Sequence, residues 1–327
     1  MLKKMVQKIL AILPYKIREK ISIAYLYFSQ SSMREKKLKR AGGLNPEKTF
    51  YVIRPNEDGV QGLMCLFYFA MKHIDYAEKK GYIPVVDFKN YYTQYKDSQH
   101  EDAWSSFFGQ LNTYSLEEVY SSRHVILSGF RAVSNDDPFW NLPTPIAYIS
   151  DMRALIKKHV TFADPIVTLL NSEMEYIDFE STLGIYARGT DYTKLKPKGC
   201  TIQPSIQMII SKANEYIQKY HLKKIFLVTE DNNIYSALSK EYGNRLMTAS
   251  FDSFVTNYNG TDFLSKSPEA CRELGNSPYY RGVNYLVKLL LLSKCHYLVS
   301  GVTNGSWAVN VFSEGFEDVY WFNLGRY

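Results

Sequence analysis

Arg188, Gly189, Thr190 and Asp191 follow directly on an apolar run, Leu183-Gly184-Ile185-Tyr186-Ala187. A guanidinium stays charged and offers a planar fork of donors matched to phosphate oxygens. Gly189 removes a Cβ, so that a backbone or ligand can approach closely. These residue types suit recognition of a charged group, and a diphosphate is the natural guest. The competing reading is that Arg188 and Asp191 pair with each other or with neighbours. Two further polar segments strengthen the first reading. Thr229-Glu230-Asp231 follows Ile225-Phe226-Leu227-Val228, and carboxylates there can hydrogen-bond a ribose or base, although Asp231 is equally placed to cap a helix. Thr303-Asn304-Gly305-Ser306 follows Leu298-Val299-Ser300-Gly301-Val302. Small hydroxyl and glycine residues at a helix start leave backbone N–H groups for a phosphate, or form an ordinary turn capped by a serine.

Each of these sites needs a strand that ends at a helix. The pattern predicts strands over 183–187, 224–229, 245–248, 297–300 and 319–322, and helices over 205–220, 232–242, 282–294 and 306–312. Such alternation implies a parallel sheet covered on both faces, with ligands collecting beyond the strands' carboxyl ends. Upstream, strands over 49–54, 82–88 and 124–128 and a helix over 63–80 predict a second α/β unit. The stretch 89–117, rich in Tyr, Asn, Gln and Trp, reads as loop and short helix near a cleft. From 150 to about 176 the chain reads as helical, with Pro165 starting or kinking the second part. The expected fold is α/β, with two Rossmann-like domains facing a central cleft. The expected divisions are a basic amphipathic segment over 1–44 and two α/β domains over 45–180 and 181–327.

Length and composition agree with a two-domain globular protein: 327 residues, 46% hydrophobic and 22% charged. The net charge of +6 is uneven. Residues 1–40 carry eleven Lys/Arg against Glu19 and Glu35, a balance of +9, so the remainder sums to −3. Apolar residues recur at roughly helical spacing among these cations, and no apolar run approaches the roughly 20 residues that span a bilayer. A basic amphipathic helix on an anionic membrane surface is the expectation, with an ordinary docking helix as the alternative. Nucleic acid is not an expected partner, because basicity is not spread along the chain. The cysteines, Cys65, Cys200, Cys271 and Cys295, show neither CxxC nor metal-ligand spacing. Reduced thiols, no secretory leader and a cytoplasmic location at the inner membrane face are expected.

The segment Tyr186-Ala187-Arg188-Gly189-Thr190-Asp191 resembles the His-Val-Arg-Arg-Thr-Asp motif of α-1,6-fucosyltransferases and bacterial nodulation fucosyltransferases. Val228-Thr229-Glu230-Asp231 resembles their second motif, Ala-Thr-Asp-Asp, and Thr303-Asn304-Gly305-Ser306 their third, Thr-Phe-Ser-Ser. Order and spacing agree across residues 183 to 315. Leu291-Leu292-Ser293-Lys294-Cys295 and the terminal Phe322-Asn323-Leu324-Gly325-Arg326-Tyr327 resemble uncharacterised glycosyltransferases encoded with bacterial surface-polysaccharide genes. The resemblance implies a two-domain GT-B fold with 45–180 as the acceptor domain and 181–327 as the nucleotide-sugar domain that mainly holds the donor, a GDP-sugar such as GDP-fucose, and transfer with inversion and without a metal or other cofactor. It implies that Arg188 contacts the donor β-phosphate, that Glu230 and Asp231 are the second-motif acids, and that Ser306 contacts the donor. The chain departs from the family at four places. Gly189 replaces a second arginine and Tyr186 a histidine; Lys288 stands where an aspartate reads guanine, and Lys196 near the proposed acid-base glutamate.

Glycosyl transfer requires stabilisation of charge on the departing diphosphate and deprotonation of an acceptor hydroxyl. With no Asp-x-Asp motif, Arg188 and helix N-termini are the expected electrophiles. Asp191 is the first candidate base and otherwise orients Arg188; Glu57 and Asp58 are the alternatives. The acceptor implied is a surface or capsular glycan, or a lipid-linked oligosaccharide. Two other readings stay open: a non-catalytic membrane-associated nucleotide- or glycan-binding protein, and a phosphoryl-transfer enzyme with Arg188 as anion clamp. Against the latter, there is no Walker loop and no Cys or His beside the arginine.

Overall fold

A computed structural model describes residues 33–38, 42–55, 61–133, 146–275 and 277–327. The amphipathic helix expected within residues 1–40 falls almost wholly outside the described residues, as do Glu57 and Asp58. The first half contributes strands β1 (Lys36–Lys37), β2 (Leu44–Ile53), β3 (Ile83–Val86) and β4 (Ser122–Leu127), with helices α1 (Leu63–Lys79), α2 (Leu116–Tyr120), α3 (Ile146–His159) and α4 (Asp164–Met174). The second half runs β5 (Thr182–Tyr186), α5 (Thr190–Leu195), α6 (Ile206–Tyr220), β6 (Lys224–Val228), α7 (Asn232–Tyr242), β7 (Leu246–Met247), α8 (Pro268–Glu273), α9 (Pro278–Leu292), β8 (Tyr297–Gly301), α10 (Asn304–Phe312) and β9 (Asp318–Phe322).

The first sheet has the order β1-β4-β2-β3, in which β2 runs parallel to both neighbours and the two-residue β1 is antiparallel to β4. Lys36 and Lys37, expected within the helical segment, are therefore edge-strand residues. The second sheet is wholly parallel in the order β7-β6-β5-β8-β9. Numbered within its own half this is 3-2-1-4-5, so the direction of winding reverses between β5 and β8, where a doubly wound sheet opens its crevice. Residues of β5 are buried on both faces, and such strands read as continuous apolar runs.

Pro165 separates α3 from α4, since a proline lacks the N–H an unbroken helix would need there. α9 starts at Pro278, earlier than the apolar run suggests, with Ser277 Oγ accepting the Tyr280 amide as N-cap.

The two halves share one apolar core. Phe67 and Tyr68 of α1 meet Trp307 of α10 with ring centroids 6.1 and 4.7 Å apart, and Phe67 also packs on Phe312 at 5.4 Å. α4 packs along α9, and α3 along α10. Arg153 of α3 donates from its Nε and a terminal nitrogen to the Asn310 carbonyl at 3.1 and 2.9 Å. The halves are thus fused along their helices and part where the carboxyl ends of β5, β6 and β8 meet the N-terminus of α1.

Candidate active site

Tyr186 lies opposite Val228 and Ser300 in the parallel ladder. The residues just beyond the three strands, Arg188, Thr229-Glu230 and Thr303, are consequently brought to one level. A cavity of about 420 Å³ opens there. Arg188, Asp191, Thr229, Glu230, Asn304 and Gly305 line it from the second half. The first half supplies Gln61, Gly62, Met64 and Cys65 around the start of α1, with Gln94 and Tyr95 from the 89–97 loop. The Tyr95 hydroxyl accepts the Leu63 amide at 2.9 Å and so holds the two first-half segments together.

Arg188 faces this cavity and is paired within the fold as well. A terminal nitrogen donates to Asp191 Oδ1 at 2.9 Å, and Nε lies 3.5 Å from Glu230 Oε1 as an ion pair without a hydrogen bond, so that this N–H is buried unbonded. The guanidinium also lies over the Tyr192 ring, 5.1 Å from its centroid. Burial opposes its charge, but Glu230 and then Asp191 outweigh this and hold its proton affinity well above the ordinary guanidinium value. For Glu230 burial dominates and raises its pKa above the usual carboxylate range, with Arg188 offsetting part of the shift. The pairing and the cavity-facing role, alternatives in the sequence, coexist.

Asp191 is spent on several partners. Oδ1 accepts from Arg188 and from the Tyr192 amide at 3.0 Å, while Oδ2 accepts the Leu264 amide at 3.1 Å. That last bond pins the segment between β7 and α9, which roofs the cavity with Phe263, Leu264, Lys266, Cys271 and Leu274. Lys194 Nζ holds the same segment by donating to the Tyr258 carbonyl at 2.6 Å. Val255, Tyr258, Leu264 and Ala270 give it a small apolar core of its own.

Asp231 and Ser306 lie outside the cavity lining. Asp231 caps α7 through Oδ1, which accepts the Asn233 amide at 2.7 Å; Oδ2 accepts the Thr190 amide at 2.9 Å. A Cβ on residue 189 would come within 2.1 Å of Asp231 Oδ2, so the close approach that Gly189 allows is made by this carboxylate. Thr190, β-branched, is held at φ +36° by its amide bond to Asp231 and its hydroxyl bond to Glu230 Oε1 at 2.8 Å. Ser306 closes a capping box at the start of α10: its Oγ accepts the Thr303 amide at 2.7 Å and donates to the Thr303 carbonyl at 2.9 Å.

Further lining residues come from α9. Arg281, Asn284, Tyr285 and Lys288 fall at i, i+3, i+4 and i+7 and all line the cavity, a polar stripe on a helix otherwise buried in the core. That spacing was the available signal, masked by the dense apolar run Leu286–Leu292. Lys288 Nζ lies 2.6 Å from Asp252 Oδ1, and both side chains are nearly buried. Burial raises the Asp252 pKa, and Lys288 offsets part of that shift. The lining holds four cations, Arg188, Lys266, Arg281 and Lys288, against two carboxylates, Asp191 and Glu230. Among the described residues no three His, Cys, Asp or Glu side chains cluster as a metal ion would require.

No family model matches the sequence, and no curated protein matches it. The chain is similar in structure to the fucosyltransferase NodZ from Bradyrhizobium, at 14% identity and a TM-score of 0.45 over 80% of this chain and 92% of that one. It is similar to POFUT1 in complex with GDP-fucose, at 9% identity and a TM-score of 0.43 over 87% and 100% of the two chains. It is similar also to a variant of Arabidopsis thaliana FUT1 in complex with GDP, at 10% identity and a TM-score of 0.46 over 86% and 72%.

Proposed function

We propose that this chain is a glycosyltransferase that takes a nucleoside-diphosphate sugar in the cavity between its halves, with the diphosphate held by Arg188 and the first turn of α10. The observation that carries this reading is Arg188 itself, aimed by two buried carboxylates at a cavity whose lining carries a surplus of cations. Preorganised donors of this kind stabilise charge as it develops on a leaving group. Asp191, with both oxygens already accepting, orients the arginine in this reading.

The motif resemblance supports a more specific version: inverting, metal-independent transfer of fucose from GDP-fucose to a bacterial surface or capsular glycan. The basic residues 1–40 support peripheral attachment to the inner face of the membrane. The division into segments 1–44, 45–180 and 181–327 belongs to the same proposal.

The test is the thermal stability of the protein with GDP, UDP, CMP or dTDP, with and without Mg²⁺. A ligand that binds the native state alone raises the melting temperature. GDP is expected to stabilise, and equally so in EDTA. Stabilisation by UDP alone would move the donor to a uridine sugar, and no response to any nucleoside diphosphate would end the reading.

A further inference from the structure

Thr303, Tyr186 and Tyr285 form a chain of three hydroxyls at the cavity wall. Thr303 Oγ1 accepts the amides of Gly305 and Ser306 at 3.1 and 3.2 Å, as the cap of α10 requires. With both lone pairs engaged, its proton goes to Tyr186 Oη at 3.4 Å. The Tyr186 side chain is buried, and its hydrogen bonds are to Thr303 and to Tyr285 Oη at 3.1 Å. Distance alone lets either phenol donate in that last bond. Both phenols line the cavity, but Tyr186 is almost wholly buried and Tyr285 only half-buried, so the reverse sense would leave the uncommitted proton on the more buried side chain, the costlier place for an unpaired donor. The chain therefore runs Thr303 to Tyr186 to Tyr285. It delivers Tyr285 with its oxygen accepting and its own proton uncommitted. Tyr285 lines the cavity, and a Cβ on residue 305 would lie 2.3 Å from the Tyr186 oxygen and 2.4 Å from that of Tyr285. The uncommitted O–H thus sits over the first turn of α10.

We infer that Tyr285 binds the ligand, donating a hydrogen bond to a diphosphate oxygen, and that Tyr186 is a positioning residue which fixes the direction of that donor. This rests on the proposed reading of the cavity as a diphosphate site. It adds a neutral donor contributed by α9, outside the three motifs, and gives a use to the tyrosine at position 186.

The experiment is calorimetric titration of GDP, UDP and inorganic pyrophosphate into the wild type, Tyr285→Phe, Tyr186→Phe, the double variant and Arg188→Lys, each checked for folding by its melting curve. A lost hydrogen bond to a charged group is expected to weaken binding of the diphosphates and of pyrophosphate by about tenfold to a hundredfold in Tyr285→Phe. Tyr186→Phe should lose less, and the double variant should bind as Tyr285→Phe does, because the relay has nothing left to aim. Binding within twofold of wild type in Tyr285→Phe, while Arg188→Lys binds weakly, would overturn the tyrosine and leave the clamp standing. Additive losses in the double variant would overturn the relay. Failure of the wild type to bind either diphosphate or pyrophosphate would overturn the cavity reading and the tyrosine with it.

Discussion

Arg188 has two carboxylate partners inside the protein and, in the proposed function, an anionic partner in the cavity, and substitutions separate these roles. Arg188→Ala leaves Asp191 and Glu230 buried beside each other without their cation. Breaking a buried pair from one side costs about 3–5 kcal/mol, so this variant should lose much of its stability together with its turnover. Arg188→Lys keeps a charge but not the planar fork. It should retain most of the stability while losing about 3 kcal/mol of transition-state stabilisation, roughly two decades in rate. Urea denaturation alongside an activity assay separates the two, and wild-type stability in the alanine variant would refute the account of the buried carboxylates. Arg188 was legible as a residue of the cavity wall because it directly follows a buried strand, and the competing reading, its pairing with Asp191, is met as well. Asp231 and Ser306 were less so. A short polar side chain at a helix start serves a cap or a ligand equally well in sequence, and only the amides it meets, here those of Asn233 and of Thr303, identify the cap.

At the scale of elements, Asp231 joins the turn after β5 to the start of α7, and Thr190 is kept at positive φ by that junction. Asp231→Ala should lose about 0.5–2 kcal/mol for the cap and about 1–3 kcal/mol more for the orphaned Thr190 amide, measured as a lower urea midpoint. A loss below about 0.5 kcal/mol, the size expected of an ordinary surface change, would show that the junction does not hold the turn. Strand-helix alternation in the second half was readable because fully buried parallel strands are apolar throughout, and Asn232–Tyr242 was placed with its observed ends. The six-residue α5 was not readable. It is short and polar, and its first residue is held at positive φ by contacts 40 residues away rather than by local preference. The start of α9 was misplaced for a related reason: Ser277 and Pro278 set it, while the eye follows the leucines.

For the whole molecule, the shared core means that pH acts on both halves through groups buried in either. His73 of α1 is fully buried against the Tyr51 hydroxyl at 3.1 Å. Burial, reinforced by the charges of Lys72 and Arg54, pushes its pKa down to about 3. The folded state thus binds this proton later than the unfolded chain, whose histidine titrates near 6.5. Stability from this group is complete above about pH 6.5 and falls by about 1.4 kcal/mol per pH unit on acidification until about pH 3. Between pH 7 and 5 the loss should be about 2 kcal/mol, read from urea midpoints, and His73→Gln should flatten that part of the profile. An unchanged slope in the variant would assign the acid sensitivity elsewhere. Two α/β units were legible from the strand pattern, but their fusion was not, because Phe67, Trp307 and Phe312 look like ordinary core residues of separate domains until they meet.

That fusion bears on how the cavity is walled. The two units are packed together through Trp307, and the segment between β7 and α9 contributes Phe263, Leu264 and Lys266 to the cavity wall. Asp191 grips this flap with one oxygen and steers the arginine with the other. Lifting the flap therefore loosens the cation's aim, and an occupant that draws the cation forward tugs on the same latch, so wall and grip are joined through a single carboxylate.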